Sequence, residues 1–328
     1  MNIPYYKPSI TANEIKAATR VMKSDFMASG PEVKELESEY SKYCGDQYCV
    51  AVSSATAGLF LCCKYMKLYH GWNEVNIPAY TFCATNQAAL AAGLKTNICD
   101  VDDCYEPKVG ILENTIIVRF AGQCLFREAF TKELIDAAHC FPFKLDNTRV
   151  YSFYPTKPIG ANGGGMIVTP DKELADWCRR MRQHGRNESV GHAENPSGVG
   201  FNFFLSDLNA SIVREQLKRI DYLKERRLEI ANRYVEGLKG IDCYFGDHLF
   251  MVRFPEIKNI SSVTKQYYFD FLTGEGIGIS RPYIPLADRD KAPNAWNLYE
   301  RSISIPYYVS LTKRDQKYII DTIRRCVK

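Results

Sequence analysis

Lys157 lies in the segment Tyr154-Pro155-Thr156-Lys157-Pro158, where the two prolines forbid continuation as helix or strand. A glycine cluster, Gly160 to Gly165, then lets the chain turn back tightly. A lysine held there can serve as nucleophile or proton carrier, whereas a lysine elsewhere is usually a surface charge. Asp136 closes the apolar run Glu133–Asp136 and leads into Ala137-Ala138-His139. A carboxylate at that place is costly to bury unless a cation or a hydrogen-bond donor meets it, and its simpler alternative is a cap on a following helix. Ser53-Ser54-Ala55-Thr56 opens an apolar helix over Ala57–Tyr69, and the bare N–H groups of a helix start can cradle a phosphate. The plainer reading of that turn is a Ser/Thr cap. Gly200–Asp207 is an aromatic-rich loop, with Ser206 as the cap of the helix that follows.

The elements that must carry these residues show in the hydrophobic pattern. Apolar runs at Tyr48–Val52, Glu74–Ile77, Thr96–Val101, Thr115–Phe120, Glu133–Asp136, Arg149–Tyr154 and Gly165–Thr169 alternate with helical stretches. That alternation predicts an α/β domain with a largely parallel sheet, whose ligands collect at the carboxyl ends of strands. Thr11 and Glu14 form a capping box ahead of a helix with Ile15, Ala18 and Met22 on one face. Pro31 starts a second helix, with Val33, Leu36, Tyr40 and Tyr43 as its stripe. Leu208–Leu238 reads as one long helical region, in which Lys224-Glu225-Arg226-Arg227 is a solvated face. A smaller α+β part follows, with a strand at Leu249–Phe254 and a last helix capped by Thr312 that buries Tyr318, Ile319, Ile323 and Val327. The predicted division is residues 1–220 for the large domain and 221–328 for the small one.

Composition narrows the class. Of 328 residues 46% are hydrophobic and 24% charged, and 42 basic against 38 acidic side chains leave a net charge of +4. Nothing in that balance calls for nucleic acid or an anionic membrane as partner. No run approaches a membrane span, and the opening MNIPYYKPSI lacks the basic and apolar regions of a secretory signal. The twelve cysteines follow no repeated frame and form no C-x-x-C, so they read as reduced, packed thiols in a cytoplasmic protein without a metal site.

A phosphate cradle, an aromatic segment at Tyr80-Thr81-Phe82, a strand-end Asp and a strand-end Lys follow one another along the chain. That order is the layout of pyridoxal 5′-phosphate enzymes with the aspartate-aminotransferase fold (fold type I). The chain resembles the sugar aminotransferases of the DegT/StrS type over nearly its whole length. Ala51-Val52-Ser53-Ser54-Ala55-Thr56-Ala57 matches V-S-S-G-T-A, Ile77-Pro78-Ala79-Tyr80-Thr81-Phe82 matches P-A-x-T-F, and Ser152-Phe153-Tyr154-Pro155-Thr156-Lys157 matches S-F-x-x-T-K. Gln183-His184-Gly185-Arg186 and Gly200-Phe201-Asn202-Phe203 resemble H-G-R and G-Y-N-Y. The resemblance implies Lys157 as the Schiff-base lysine and Asp136 as partner of the pyridine nitrogen. It implies Phe82 stacked on the ring and His139 at the phenolic oxygen. Ala55, Thr56 and Ser152 would hold the phosphate, with Asn202 from a neighbouring subunit in a homodimer. Tyr283 and Arg281 fall in the segment near the substrate. The activity implied is transfer of an amino group from glutamate, by way of pyridoxamine phosphate, to a nucleotide-diphospho keto-sugar, most simply a 4-keto-6-deoxy hexose. A dehydratase of the same family and a non-catalytic cofactor-binding regulator are the alternatives.

Several positions depart from the family pattern. Ala55 replaces a glycine, Phe204 replaces an arginine, Asn162 replaces a glutamate, and only 21 positions separate Asp136 from Lys157. The departures leave the cofactor site intact, provided that Ala55 has an ordinary φ, and bear on the substrate and the amino donor.

Overall fold

The computed structural model describes residues 2–108, 114–123, 134–186, 198–255 and 264–327. Its helices are α1 (Ala12–Met22), α2 (Pro31–Tyr43), α3 (Ala55–Tyr69), α4 (Cys83–Ala91), α5 (Lys172–Met181), α6 (Asp207–Leu217), α7 (Ile220–Gly237), α8 (Thr264–Gly274), α9 (Pro293–Arg301) and α10 (Lys313–Val327). Seven strands build the large sheet: β1 (Tyr48–Val52), β2 (Glu74–Pro78), β3 (Lys95–Cys99), β4 (Ile116–Val118), β5 (Leu134–Asp136), β6 (Thr148–Ser152) and β7 (Gly165–Thr169), five in one ladder and β2-β3 as a pair that adjoins it. Each overlaps a run seen in the sequence with ends that agree to within two residues, although Glu133 falls outside the described residues.

Hydrogen-bonded neighbours run β1-β7-β6-β5-β4. A parallel bridge from Thr115 to Asn76 carries the order on to β2, which pairs in parallel with β3. β7 is antiparallel to both its neighbours, while β4, β5 and β6 are parallel, so the sheet is mostly parallel. Such a sheet needs both faces covered. On one face α3 and α5 bury Leu59, Leu61, Leu174 and Cys178 against Val50, Val52, Val150 and Ile167. Gly58 lets α3 sit that close, since a Cβ there would stand 2.8 Å from Val150 Cγ1. On the other face α2 and α6 place Val33, Leu36, Tyr40, Ala210 and Val213 over Ala51, Ile135, Tyr151 and Met166.

A second, antiparallel sheet has the order β10-β9-β8, from β8 (Asp242–Phe245), β9 (Phe250–Arg253) and β10 (Ser302–Ile305). It shares a core with α7, α8 and α10, and Ile3 joins that core through a parallel bridge to Ile277. α7 starts in the large core with Ile220 and Leu223 and ends in the smaller one with Ile230, Ala231 and Tyr234. Among the described residues no helix is long and apolar enough to cross a membrane.

Three expectations are corrected. The region Leu208–Leu238 is two helices, interrupted at Lys218-Arg219, where Arg219 turns to bond Glu14 and Ser9. On α1 the buried residues are Glu14, Ala17 and Val21, whereas Ile15 and Met22 are exposed. Glu14 is drawn inward because its carboxylate closes the capping box with Thr11 and pairs with Arg219 at 2.7 Å. The stretch from Lys224 is not simply a solvated face: Arg226 bonds the Leu311 carbonyl at 2.7 Å, and buried Arg227 bonds that of Tyr307 at 2.9 Å. Both caps predicted near the termini are present, as are the Ser206 cap and Pro31 in the first turn of α2.

One carboxylate ties the covering helices together. Buried Asp207, the first residue of α6, accepts from the amides of Gly30 at 2.8 Å, Glu32 at 3.2 Å and Val33 at 3.1 Å. It therefore caps α2 from a distant part of the chain, where the helix start favours a negative charge. Asp207→Ala is expected to cost about 2 to 3 kcal/mol, the loss of a cap and of charge-assisted hydrogen bonds. Chemical denaturation measures it, and an unchanged midpoint would contradict the assignment.

Candidate active site

The carboxyl ends of the parallel strands open into a cavity of about 500 Å³. The large sheet supplies one wall, with Ser53 to Thr56, Phe82, Asp136, His139, Ser152 and Lys157. Tyr5, His248, Ser280, Tyr283 and Ser304 belong to the opposite wall. Eight predicted residues, Ala55, Thr56, Phe82, Asp136, His139, Ser152, Lys157 and Tyr283, thus meet around one space.

Asp136 and Lys157 come from adjacent strands. β5 pairs with β6 in parallel, Asp136 opposite Val150, and Lys157 lies in the turn beyond β6, its amide bonded to the Tyr154 carbonyl at 2.9 Å. The Asp136 carboxylate accepts from Thr85 Oγ1 at 2.8 Å and from the Ala138 amide at 3.0 Å. Burial nonetheless raises its pKa, because those two donors and the charge of Lys157 do not replace the lost water. Burial lowers Lys157 to about 8 from 10.5, against the opposing pull of Asp136 and Cys140.

His139 is fixed by a backbone device. Ala121 has a φ of 58°, and its amide donates to His139 Nδ1 at 3.1 Å. In the neutral ring the proton is then on Nε2, which stands 3.3 Å from the Tyr283 hydroxyl. Burial and the charge of Lys157 hold this histidine neutral. Gly122, at φ +87°, makes the approach possible: a Cβ there would lie 2.2 Å from the His139 carbonyl oxygen.

The helix start at Ala55 is built for close approach. Ser54 caps α3 by accepting from the Ala57 amide at 3.1 Å, which leaves the first-turn amides of Ala55 and Thr56 without a helical partner. Ala55 is not among the residues with positive φ, so alanine fits where the family pattern has glycine. Gly165 has to be glycine, since a Cβ would come within 2.7 Å of the Ala55 nitrogen. Phe82 immediately precedes α4 and is 53% exposed, its ring centre 5.4 Å from that of Tyr283.

Two predicted residues stand apart. Asn202 is exposed and bridges to Gln183, outside this chain's own cavity. Arg281 lies over Phe269 of α8, 3.9 Å from its ring centre, and donates to Gln266 at 2.6 Å. The sequence reading had missed Thr85, Arg119 and His248. Thr85 follows Thr81 by one helical turn, a spacing that could have flagged it; Arg119 and His248 reach the cavity only through folding. His248 is buried with its ring 4.5 Å from that of His139, and its Nδ1 has no partner among the described residues. Among the described residues no group of three or more His, Cys, Asp or Glu is arranged to hold a metal ion, and the cysteines are free.

In the cofactor-free protein Lys157 is expected to react with an amine-directed reagent with a midpoint near pH 8. Asp136→Asn shifts that midpoint lower, because the carboxylate supports the ammonium form. The protein also gains stability as pH rises from 8 towards 10.5, where the unfolded chain still holds a proton that the folded one has released. Peptide-resolved labelling across pH checks the two midpoints, and chemical denaturation across the same range checks the stability; a midpoint near 10.5 would contradict the burial.

The profile of the DegT/DnrJ/EryC1/StrS aminotransferase family matches residues 8–120 and 136–324. The spore coat polysaccharide biosynthesis protein SpsC of Bacillus subtilis (strain 168) is 29% identical over 381 residues, 99% of this chain and 97% of that protein. The UDP-4-amino-4,6-dideoxy-N-acetyl-beta-L-altrosamine transaminase of Campylobacter jejuni (serotype O:2) is 27% identical over 369 residues, 98% of this chain and 96% of that one. In fold the chain is similar to Spr1654 of Streptococcus pneumoniae in its PLP-form, with a TM-score of 0.87 at 23% identity over 99% of this chain and 98% of the other. The chain belongs to the DegT/DnrJ/EryC1/StrS aminotransferase family.

Proposed function

We propose that this protein transfers an amino group from glutamate to a nucleotide-linked keto-sugar, most simply a 4-keto-6-deoxy hexose, with pyridoxal 5′-phosphate as cofactor. Family membership supports the reaction class, and the transaminase among the relatives acts, by its name, on a UDP-linked amino sugar. The observation that carries the reading is the meeting of Asp136, Lys157 and an open helix start around one cavity.

The residues present suit that cofactor. Its phosphate matches the first-turn amides of Ala55 and Thr56 and the Ser152 hydroxyl, and its ring has the half-exposed face of Phe82 to stack on. Asp136, with its pKa raised by burial, gains what it lacks from a protonated ring nitrogen, and Thr85 and Ala138 keep it aimed. His139 offers Nε2–H to the phenolic oxygen. Asn202 of a second copy completes the phosphate site in a homodimer. When bound, pyridoxal phosphate supplies an aldehyde that exchanges amines and a ring that takes up electrons.

Lys157 does the proton work. A pKa of about 8 leaves part of its amine unprotonated near neutral pH, so it can take a proton from the donor's α-carbon and return it elsewhere as acid. Tyr283, beside His139 and Phe82, faces the incoming sugar. Arg281 packs against α8 and is not among the described residues that line the cavity.

Incubation with glutamate and a panel of nucleotide-linked 3-keto and 4-keto sugars, read by mass spectrometry, tests the proposal. The 4-keto substrate is expected to yield an amino sugar and an equal amount of 2-oxoglutarate, and Lys157→Ala to lose at least about a thousandfold in kcat. Loss of water from the sugar without 2-oxoglutarate would contradict it.

A further inference from the structure

Among the described residues that line the cavity, three carry a formal charge: Arg119, Asp136 and Lys157. The histidines do not add to them, because burial and the charge of Lys157 keep His139 and His248 neutral. With Lys157 committed to the cofactor, Arg119 is the cation left among the described lining residues for an anionic group of a reactant.

Arg119 follows β4, the strand beside the one that ends in Asp136, and its amide donates to the Asp136 carbonyl at 3.0 Å. The residue is only 8% exposed, so its guanidinium sits at the inner wall. Nη1 donates to Glu106 Oε1 at 3.0 Å. Nε and Nη2 meet no acceptor among the described residues, and neither is a buried atom shut away from solvent. A guanidinium anchored at one nitrogen by a carboxylate, with its other donors open, is ready for a second carboxylate, which its planar fork matches in geometry.

We propose that Arg119 binds the carboxylate of the amino donor, with Glu106 as the residue that orients it. This rests on the aminotransferase reading above. Two anions enter such a reaction, the donor's carboxylate and the acceptor's diphosphate. The donor must bring its α-carbon to Lys157, so its α-carboxylate is one bond from the reacting atom and lies deep. The diphosphate is separated from the reacting carbon by the sugar ring and reaches outward. A buried arginine one strand from Asp136 fits the first.

The test uses the full chain loaded with pyridoxal phosphate and two variants. Arg119→Lys keeps a charge opposite Glu106 but removes the fork. The double variant Arg119→Met with Glu106→Gln removes both charges together, so that neither is left buried alone. Calorimetric titration with glutarate, a dicarboxylate that has no amine to transfer, is expected to show binding weakened tenfold or more in both, while inorganic pyrophosphate binds as before. The KM for whichever amino acid the unsubstituted protein accepts should rise in Arg119→Lys, with the KM for the keto-sugar held. A failure of glutamate as donor would thus appear in the unsubstituted protein, and a failure of the arginine only in the variants. Unchanged glutarate affinity would overturn the proposal, and so would loss of pyrophosphate with glutarate retained, which assigns Arg119 to the acceptor.

Discussion

A carboxylate and an amine, both withdrawn from water, face one cavity from neighbouring parallel strands. Each is pushed towards its uncharged form by burial and pulled back by the other's charge, and burial wins for both. The rest of the fold serves to hold this pair. The parallel alignment of β5 and β6 puts Asp136 and the Lys157 turn at the same sheet edge, and the helices on both faces keep that edge from shifting. Asp207 extends the constraint to the amino-terminal helices by capping α2 from α6.

The cavity is closed by parts of the chain far apart in sequence. Tyr5 donates to Ser304 at 2.9 Å, and Ala121 bonds both the His139 ring and the His248 backbone. The strained backbone at Ala121 therefore joins the two walls, and Gly122 supplies the clearance that a side chain would take away. Local strain of this kind is kept only where the surroundings fix it, which here is the meeting of the β5 end with the β8–β9 hairpin.

Much of this was legible in the sequence for a physical reason. Strands buried on both faces read as short apolar runs, and the turns after them stood out through Pro155, Pro158 and the glycines. What stayed hidden depends on partners that no local pattern names. Glu14 turns inward because Arg219 waits there, which inverted the expected face of α1. The break at Lys218-Arg219 has no glycine or proline to mark it. Arg119 and His248 look like ordinary surface residues until β4 and β9 bring them to the cavity.

The proposed function requires that Lys157 be the residue that bonds the cofactor. Borohydride reduction of the protein after addition of pyridoxal phosphate, followed by peptide mapping, tests that bond most directly. The mass of the reduced cofactor is expected on the peptide containing Lys157, and on no other in equal yield. An unmodified Lys157 peptide, with the cofactor bound elsewhere or not at all, would contradict the account.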